Sequence, residues 1–148
     1  MLDDARATAL LGFLIDNVDW GEGIKTKYGN YTRKQKHLGT CPRFIHDEVV
    51  RAIAQSTPIG DIHNVKSIYM NYYTSGDDYC PNHRHLGTNQ MILSLGTSRN
   101  IHLSGAVDGS KNTFMLDNGS VLLFSSEYHE IRKQKRANGP RISIVVFY

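Results

Sequence analysis

From residue 65 to the C-terminus the chain is a succession of short apolar runs, at 65–73, 91–95, 101–103, 113–116, 121–124 and 141–148, rich in β-branched and aromatic residues. Clusters of Gly, Asn, Asp and Ser separate them, and no helical period intervenes. This predicts a mainly β fold, a sandwich or barrel of jelly-roll type. The first third reads differently. Residues 3–18 form one amphipathic helix, with Asp3 as its cap, Leu10, Phe13, Leu14 and Val18 on one face and Gly21 beyond its end. Residues 21–40 are polar, basic and rich in glycine and tyrosine, and predict a loop or β-ribbon. Pro42 precedes a second helix at 46–55 with Val49, Val50 and Ile53 inward, ended by Thr57, Pro58 and Gly60. With no repeat, low-complexity tract or linker, the expectation is one domain over 1–148: a helical N-terminal part (1–60) packed on a β core (61–148).

Composition excludes several classes. The 148 residues are 40% hydrophobic and 21% charged, as in ordinary globular domains. No apolar run approaches the roughly 20 residues that span a bilayer, and the first residues carry two early acids without a basic leader. The expectation is an intracellular protein, cytoplasmic or nuclear, neither secreted nor membrane-bound, and monomeric, with Cys41 and Cys80 as free thiols. Net charge is +3, yet ten of the seventeen Lys and Arg residues fall within 25–37 and 132–141. Two readings stand: solvated loops, or a surface for an anionic partner on which Tyr28 and Tyr31 offer stacking faces.

The chemistry concentrates in three histidines. His83 and His85 lie in PNHRHLG, and His129 in SSEYHEI. Residues two apart share a face of a strand and diverge on a helix. In a β context, therefore, His-x-His aims two imidazoles at one metal, and His129 can complete a facial set that leaves positions open. The alternative is three surface or loop histidines. In SIYMNYYTSG, alternation places Tyr69, Asn71 and Tyr73 opposite Ile68, Met70 and Tyr72. In RISIVVFY it places Arg141, Ser143, Val145 and Phe147 opposite Ile142, Ile144, Val146 and Tyr148. An arginine entering so apolar a strand is either exposed at the strand end or paired with an anion, whose carboxylate it can grip bidentately.

Asn71, Tyr73, Gly76 and His83 together resemble the signature of the AlkB-like iron(II)- and 2-oxoglutarate-dependent dioxygenases. MILSLGTSR (91–99) resembles that family's next strand, and LDNGSVLLF followed by Tyr128-His129 its segment ending in the distal metal histidine. Arg141-x-Ser143 stands where the family has Arg-x-Asn. The resemblance spans 64–148, while Trp20, Tyr28 and the region of Arg33 are similar to a reduced nucleotide-recognition part. It implies a double-stranded β-helix, iron(II) on His83, His85 and His129, and 2-oxoglutarate held by Asn71, Tyr73, Arg141 and Ser143. Arg141 would pair with the distal carboxylate. The implied reaction hydroxylates a C–H bond, releasing formaldehyde where the carbon is an N-methyl. It also tips the anionic-partner reading toward a nucleic-acid base as substrate, with Tyr28, Tyr31, Arg33, Lys34, Lys36, Lys133 and Arg136 as candidate contacts.

Two departures stand out. The family motif is His-x-Asp, whereas this chain has His85, leaving a three-histidine set or a substitute acid from Asp77 or Asp78. Phe147 occupies a position where the family has a further arginine. Gly76, His83, His85, Gln90 and Gly96 also resemble a cupin motif with Gln in place of Glu. A three-His cupin oxygenase needing no 2-oxoglutarate is thus the rival enzyme, and a catalytically inactive nucleic-acid-binding barrel the rival of another class. A zinc site on Cys80-x-x-His83 lacks a second pair at finger-like spacing, Cys41 being isolated. Tyr128 and Arg99 are expected at the substrate mouth or in packing, and Arg84 on the opposite strand face.

Overall fold

The computed structural model describes residues 1–56 and 64–148. Two helices precede most of the strands, as the pattern requires. Helix α1 (Asp4–Asn17) starts where the Asp3 carboxylate accepts the Arg6 N–H at 2.8 Å. Helix α2 (Arg43–Ser56) begins three residues earlier than the apolar period suggests. Pro42 fits a helix start, and its carbonyl takes the Ile45 and His46 N–H groups, both at 3.1 Å. Thr57, Pro58 and Gly60 lie outside the described residues, as does His63.

The strands are β1 (Ile24–Thr26), β2 (Gly29–Tyr31), β3 (Lys34–His37), β4 (Ser67–Tyr73), β5 (Cys80–His83), β6 (Gln90–Gly96), β7 (Arg99–Ser104), β8 (Lys111–Leu116), β9 (Val121–Phe124), β10 (Tyr128–Ile131) and β11 (Arg141–Phe147). β1 and β2 form the expected ribbon. The others build two antiparallel sheets, β3-β4-β11-β6-β9 and β5-β10-β7-β8. This is the mainly β jelly roll expected of the sequence. β5 and β10 are absent from the predicted strands, and β3 lies within the stretch 21–40 expected as a loop or β-ribbon; KQKH, CPNH and YHEI carry almost no apolar alternation to announce them.

Alternation along β11 decides the layering. Ile142, Ile144 and Val146 join Met70, Met91, Leu93 and Leu95 against Leu10 and Leu14 of α1 and Ile45, Val49 and Ile53 of α2. On the other face, Val145 meets Tyr73, Ile92, Ile101, Leu103, Phe124 and Ile131 between the two sheets. The helices thus close one side of the five-stranded sheet and leave its other side to form a cavity with the smaller sheet. No helix among the described residues is long and apolar enough to cross a membrane.

Gly76 ties the two histidine-bearing strands together. Its carbonyl accepts the Gln134 N–H at 2.9 Å, and a Cβ there would stand 2.0 Å from the Gln134 carbonyl oxygen. Gly76→Ala is therefore expected to destabilise by about 1–3 kcal/mol, lowering Tm by ~3–10 °C in thermal unfolding. An unchanged Tm would mean that the loop after β10 moves aside freely.

Candidate metal centre and anion pocket

β5 and β10 pair with His83 directly opposite His129, and His85 follows two residues beyond on the same side. Ring centroids are 4.1 Å apart for His83–His129, 4.9 Å for His83–His85 and 5.6 Å for His85–His129. One ring nitrogen from each lies within 4.8 Å of the others. The backbone sets the tautomers. His83 Nδ1 sits 2.7 Å from the Pro81 carbonyl and His129 Nδ1 3.3 Å from that of Glu127. A carbonyl only accepts, so each Nδ1 carries the hydrogen and Nε2 keeps the lone pair a metal needs. Burial and the neighbouring His83 hold His129 down to about 3, and burial also lowers His85. The adjacent Cys80 thiol, with Sγ 3.8 Å from Nδ1, raises His83. Three imidazoles so clustered, with no acid in the group, offer a divalent cation a nitrogen-rich site.

Among the described residues, no carboxylate joins the three histidines. Asp78 is buried but turned away, accepting the Thr74 N–H at 2.7 Å, the Thr74 hydroxyl at 2.9 Å and the Thr32 hydroxyl. Neither it nor Asp77 belongs to the three-histidine group. Although burial opposes it, these hydrogen bonds and nearby Arg99 hold the Asp78 carboxyl below its ordinary value. The folded state thus binds this proton more weakly than the unfolded one. The stabilisation is full at neutral pH and is lost as pH falls below ~4. Asp78→Asn should flatten the acid limb of a Tm–pH profile, and a limb unchanged in the variant would assign acid unfolding elsewhere.

The histidines open onto a cavity of about 660 Å³ between the sheets, lined also by Arg33, Gln35, Tyr69, Asn71, Tyr73, Cys80, Gln90, Ser143 and Phe147. Asn71 accepts from Gln35 Nε2 at 3.1 Å. Gln90 donates to the Ser125 carbonyl while its own Oε1 is buried without a partner among the described residues. Phe147 packs against His85 at 4.9 Å and Tyr69 at 6.0 Å, an apolar wall where a second arginine was the family expectation. Arg141 is 0% exposed, next to Tyr73 with its guanidinium carbon 5.0 Å from the ring. Its Nε donates to Ser94 Oγ at 3.1 Å, whereas Nη1 and Nη2 have no partner among the described residues. The strand-end exposure considered for it is thereby excluded.

The basic residues divide sharply. Tyr28 is 82% exposed at the β1–β2 turn with Lys27 over its ring, and Tyr31 lines the cavity mouth. Lys133 lies 5.2 Å from the Tyr79 ring, which packs on Tyr31, and Arg136 is exposed. Lys34 stacks on Tyr72 of the helix-side core, and Lys36 shares that face of β3, so both point away from the cavity. Arg33, expected on the surface, is buried in the cavity wall. RKQK has no apolar residue to reveal which side of the strand faces inward. Arg99 is structural, giving its Nη groups to the Ser75, Asp78 and Arg132 carbonyls. Arg84 lies over Tyr128. Cys41 packs with the helices, on the far side of the sheet from Cys80, so the two do not share a site.

No protein-family model matches the chain, and no curated protein does. Solved structures do. A prolyl-4-hydroxylase from Pseudomonas putida superposes over 99% of this chain and 88% of its own, with a TM-score of 0.63 at 15% identity. The fold is a cupin-type jelly roll. An oxalate decarboxylase from Lactobacillus farciminis, in a formate complex, gives 0.55 at 14% identity over 85% of this chain and 30% of that one. A recombinant oxalate oxidase in complex with glycolate gives 0.49 at 13% identity over 64% of this chain. The chain spans 46% of the oxalate oxidase and 59% of a Drosophila melanogaster CENP-C cupin domain. At these identities the likeness is one of fold.

Proposed function

We propose that this protein is an iron(II)- and 2-oxoglutarate-dependent dioxygenase of AlkB-like type that oxidises a nucleic-acid base. The observation that carries the reading is three clustered imidazoles lining the cavity and, buried against Tyr73 of its wall, an Arg141 whose two Nη nitrogens have no partner among the described residues. The donor set suits a divalent first-row metal, and the guanidinium suits a carboxylate. When bound, iron(II) and 2-oxoglutarate would supply oxygen activation coupled to decarboxylation, and hence C–H hydroxylation.

The chain's own residues do the rest. His83, His85 and His129 hold the metal, and the Pro81 and Glu127 carbonyls keep the Nδ1 protons of His83 and His129 in place. Arg141 takes the distal carboxylate, with Tyr73, Asn71 and Ser143 orienting the chain of the cosubstrate. Phe147, Ile92 and Val145 keep water from the wall. The absence of a carboxylate ligand leaves the site one charge more positive than a His-x-Asp centre, which favours a dianionic cosubstrate.

Anaerobic addition of iron(II) and then 2-oxoglutarate should produce a visible metal-to-ligand charge-transfer band. Iron binding without the band would favour the three-His cupin oxygenase, for which the cavity-facing Gln90 is the matching feature. No metal binding would leave the inactive nucleic-acid-binding barrel.

The nucleic-acid part rests on Tyr28, Tyr31 and Lys133 near the mouth. Tyr28→Ala should weaken single-stranded oligonucleotide binding by about 5- to 100-fold in fluorescence anisotropy, as loss of one stacked base does. Lys34→Ala and Lys36→Ala, facing the helices, should leave it nearly unchanged. Equal losses for all three would point to diffuse electrostatic attraction instead.

A further inference from the structure

The three histidines are not fixed alike. His83 and His129 stand on paired strands, and backbone carbonyls hold their Nδ1 hydrogens. His85 has neither support. It lies beyond the end of β5, its ring makes no hydrogen bond among the described residues, and it packs edge-on against Phe147 at 4.9 Å. The segment that carries it is open to solvent. Leu86 is 68% exposed, and a Cβ at Gly87, where φ is +70°, would meet nothing within 4 Å.

One side chain ties that segment down. Across 84–87 the single hydrogen bond among the described residues runs from Lys66 Nζ to the Gly87 carbonyl, at 3.1 Å. Firmer anchoring begins only beyond it, where Asn89 and Tyr148 exchange both backbone hydrogen bonds at 2.9 Å. Lys66 reaches His85 from its other side as well. Its backbone N–H donates to the Phe147 carbonyl at 2.7 Å, so the residue that holds Gly87 also fixes the backbone of the ring against which His85 packs. Its side chain lines the Phe147 end of the cavity. An ammonium on a cavity wall repels a divalent cation bound in that cavity. Any favourable effect of Lys66 on metal binding must therefore come through geometry and not through charge.

We propose that Lys66 is a positioning residue of the metal centre: its ammonium clamps the Gly87 carbonyl, so that the 84–87 segment holds the His85 imidazole toward His83 and His129. The proposal rests on the three-histidine metal reading above, and on neither 2-oxoglutarate nor a nucleic-acid substrate.

Calorimetric titration of Mn(II) into the metal-free protein, without cosubstrate, tests it. Lys66→Met keeps an unbranched apolar stem and loses the donor, and should weaken Mn(II) by about 3- to 10-fold, the reach of one hydrogen bond. A pure charge effect has the opposite sign. If Lys66→Met binds Mn(II) as tightly as wild type, or more tightly, the proposal fails. Lys66→Arg, which keeps a charged donor, should recover most of the loss. A double-mutant cycle then separates positioning from general support of the fold. With His85→Ala in place the clamp has nothing to position, so adding Lys66→Met should change Mn(II) affinity by no more than about 2-fold. Equal losses in both backgrounds would make Lys66 merely structural and reject the proposal. A His85→Ala protein that binds Mn(II) like wild type would reject it too, leaving a metal centre on His83 and His129. A wild type that binds no Mn(II) would reject the metal reading and the proposal together. Should Lys66→Met fold poorly by circular dichroism, Lys66→Leu, equally without a donor, takes its place.

Discussion

Arg141→Met is expected to abolish 2-oxoglutarate binding while making the ligand-free protein more heat-stable. The two effects have one cause. Arg141 is wholly enclosed, and burial pushes its guanidinium down to about 10. It remains charged at pH 7, so the folded state carries an unfavourable term on the order of 3 kcal/mol that is relieved only as pH rises above about 10. Ser94 satisfies Nε, and Tyr73 offers its ring, but neither neutralises the charge. Methionine fills similar space without the charge, and such replacements stabilise by about 1–4 kcal/mol, or a rise of ~2–15 °C in Tm. Binding should move the other way. Two charge-assisted hydrogen bonds are worth about 3–6 kcal/mol together, a loss of ~10²–10⁴ in affinity. Thermal shift without ligand and calorimetry with it separate the two. A variant that both melts lower and still binds would make Arg141 a packing residue.

The same residue illustrates what was legible in the sequence. Period-2 alternation in RISIVVFY and SIYMNYY assigns each side chain to a face, and those faces are the ones found toward the helices and toward the cavity. Asp3 and Pro42 mark helix starts through backbone chemistry that any fold must respect. The jelly roll followed from strand length and spacing. The strands not announced by alternation are those whose composition serves the site. CPNH and YHEI place a cysteine and metal-competent histidines where apolar residues would otherwise signal a strand. In KQKH the inward side is polar because it borders a cavity. Arg33 was misplaced for a related reason: a basic run looks alike whether its members face water or the wall of a cavity.

His129→Ala should produce the largest change at the metal centre. In wild type, metal at ~1,000 times its Kd stabilises the fold by about 4 kcal/mol, a Tm rise of ~8–16 °C. Removing the buried member of the trio leaves two imidazoles on one strand end, and Mn(II) affinity should fall by more than the ~10- to 100-fold typical of changes outside the ligand set. The metal-induced rise should then vanish at the same metal concentration. His85 gives the sharper contrast. His85→Ala should lose much of the shift, whereas His85→Asp, which restores a carboxylate at this position, should keep it, since first-row divalent metals accept either ligand type. If Ala and Asp both keep the full shift, His85 does not touch the metal, and the centre reduces to His83 and His129. That result would also remove the charge argument for a dianionic cosubstrate. The same three proteins therefore decide both the ligand set and the reason for the cavity's preference.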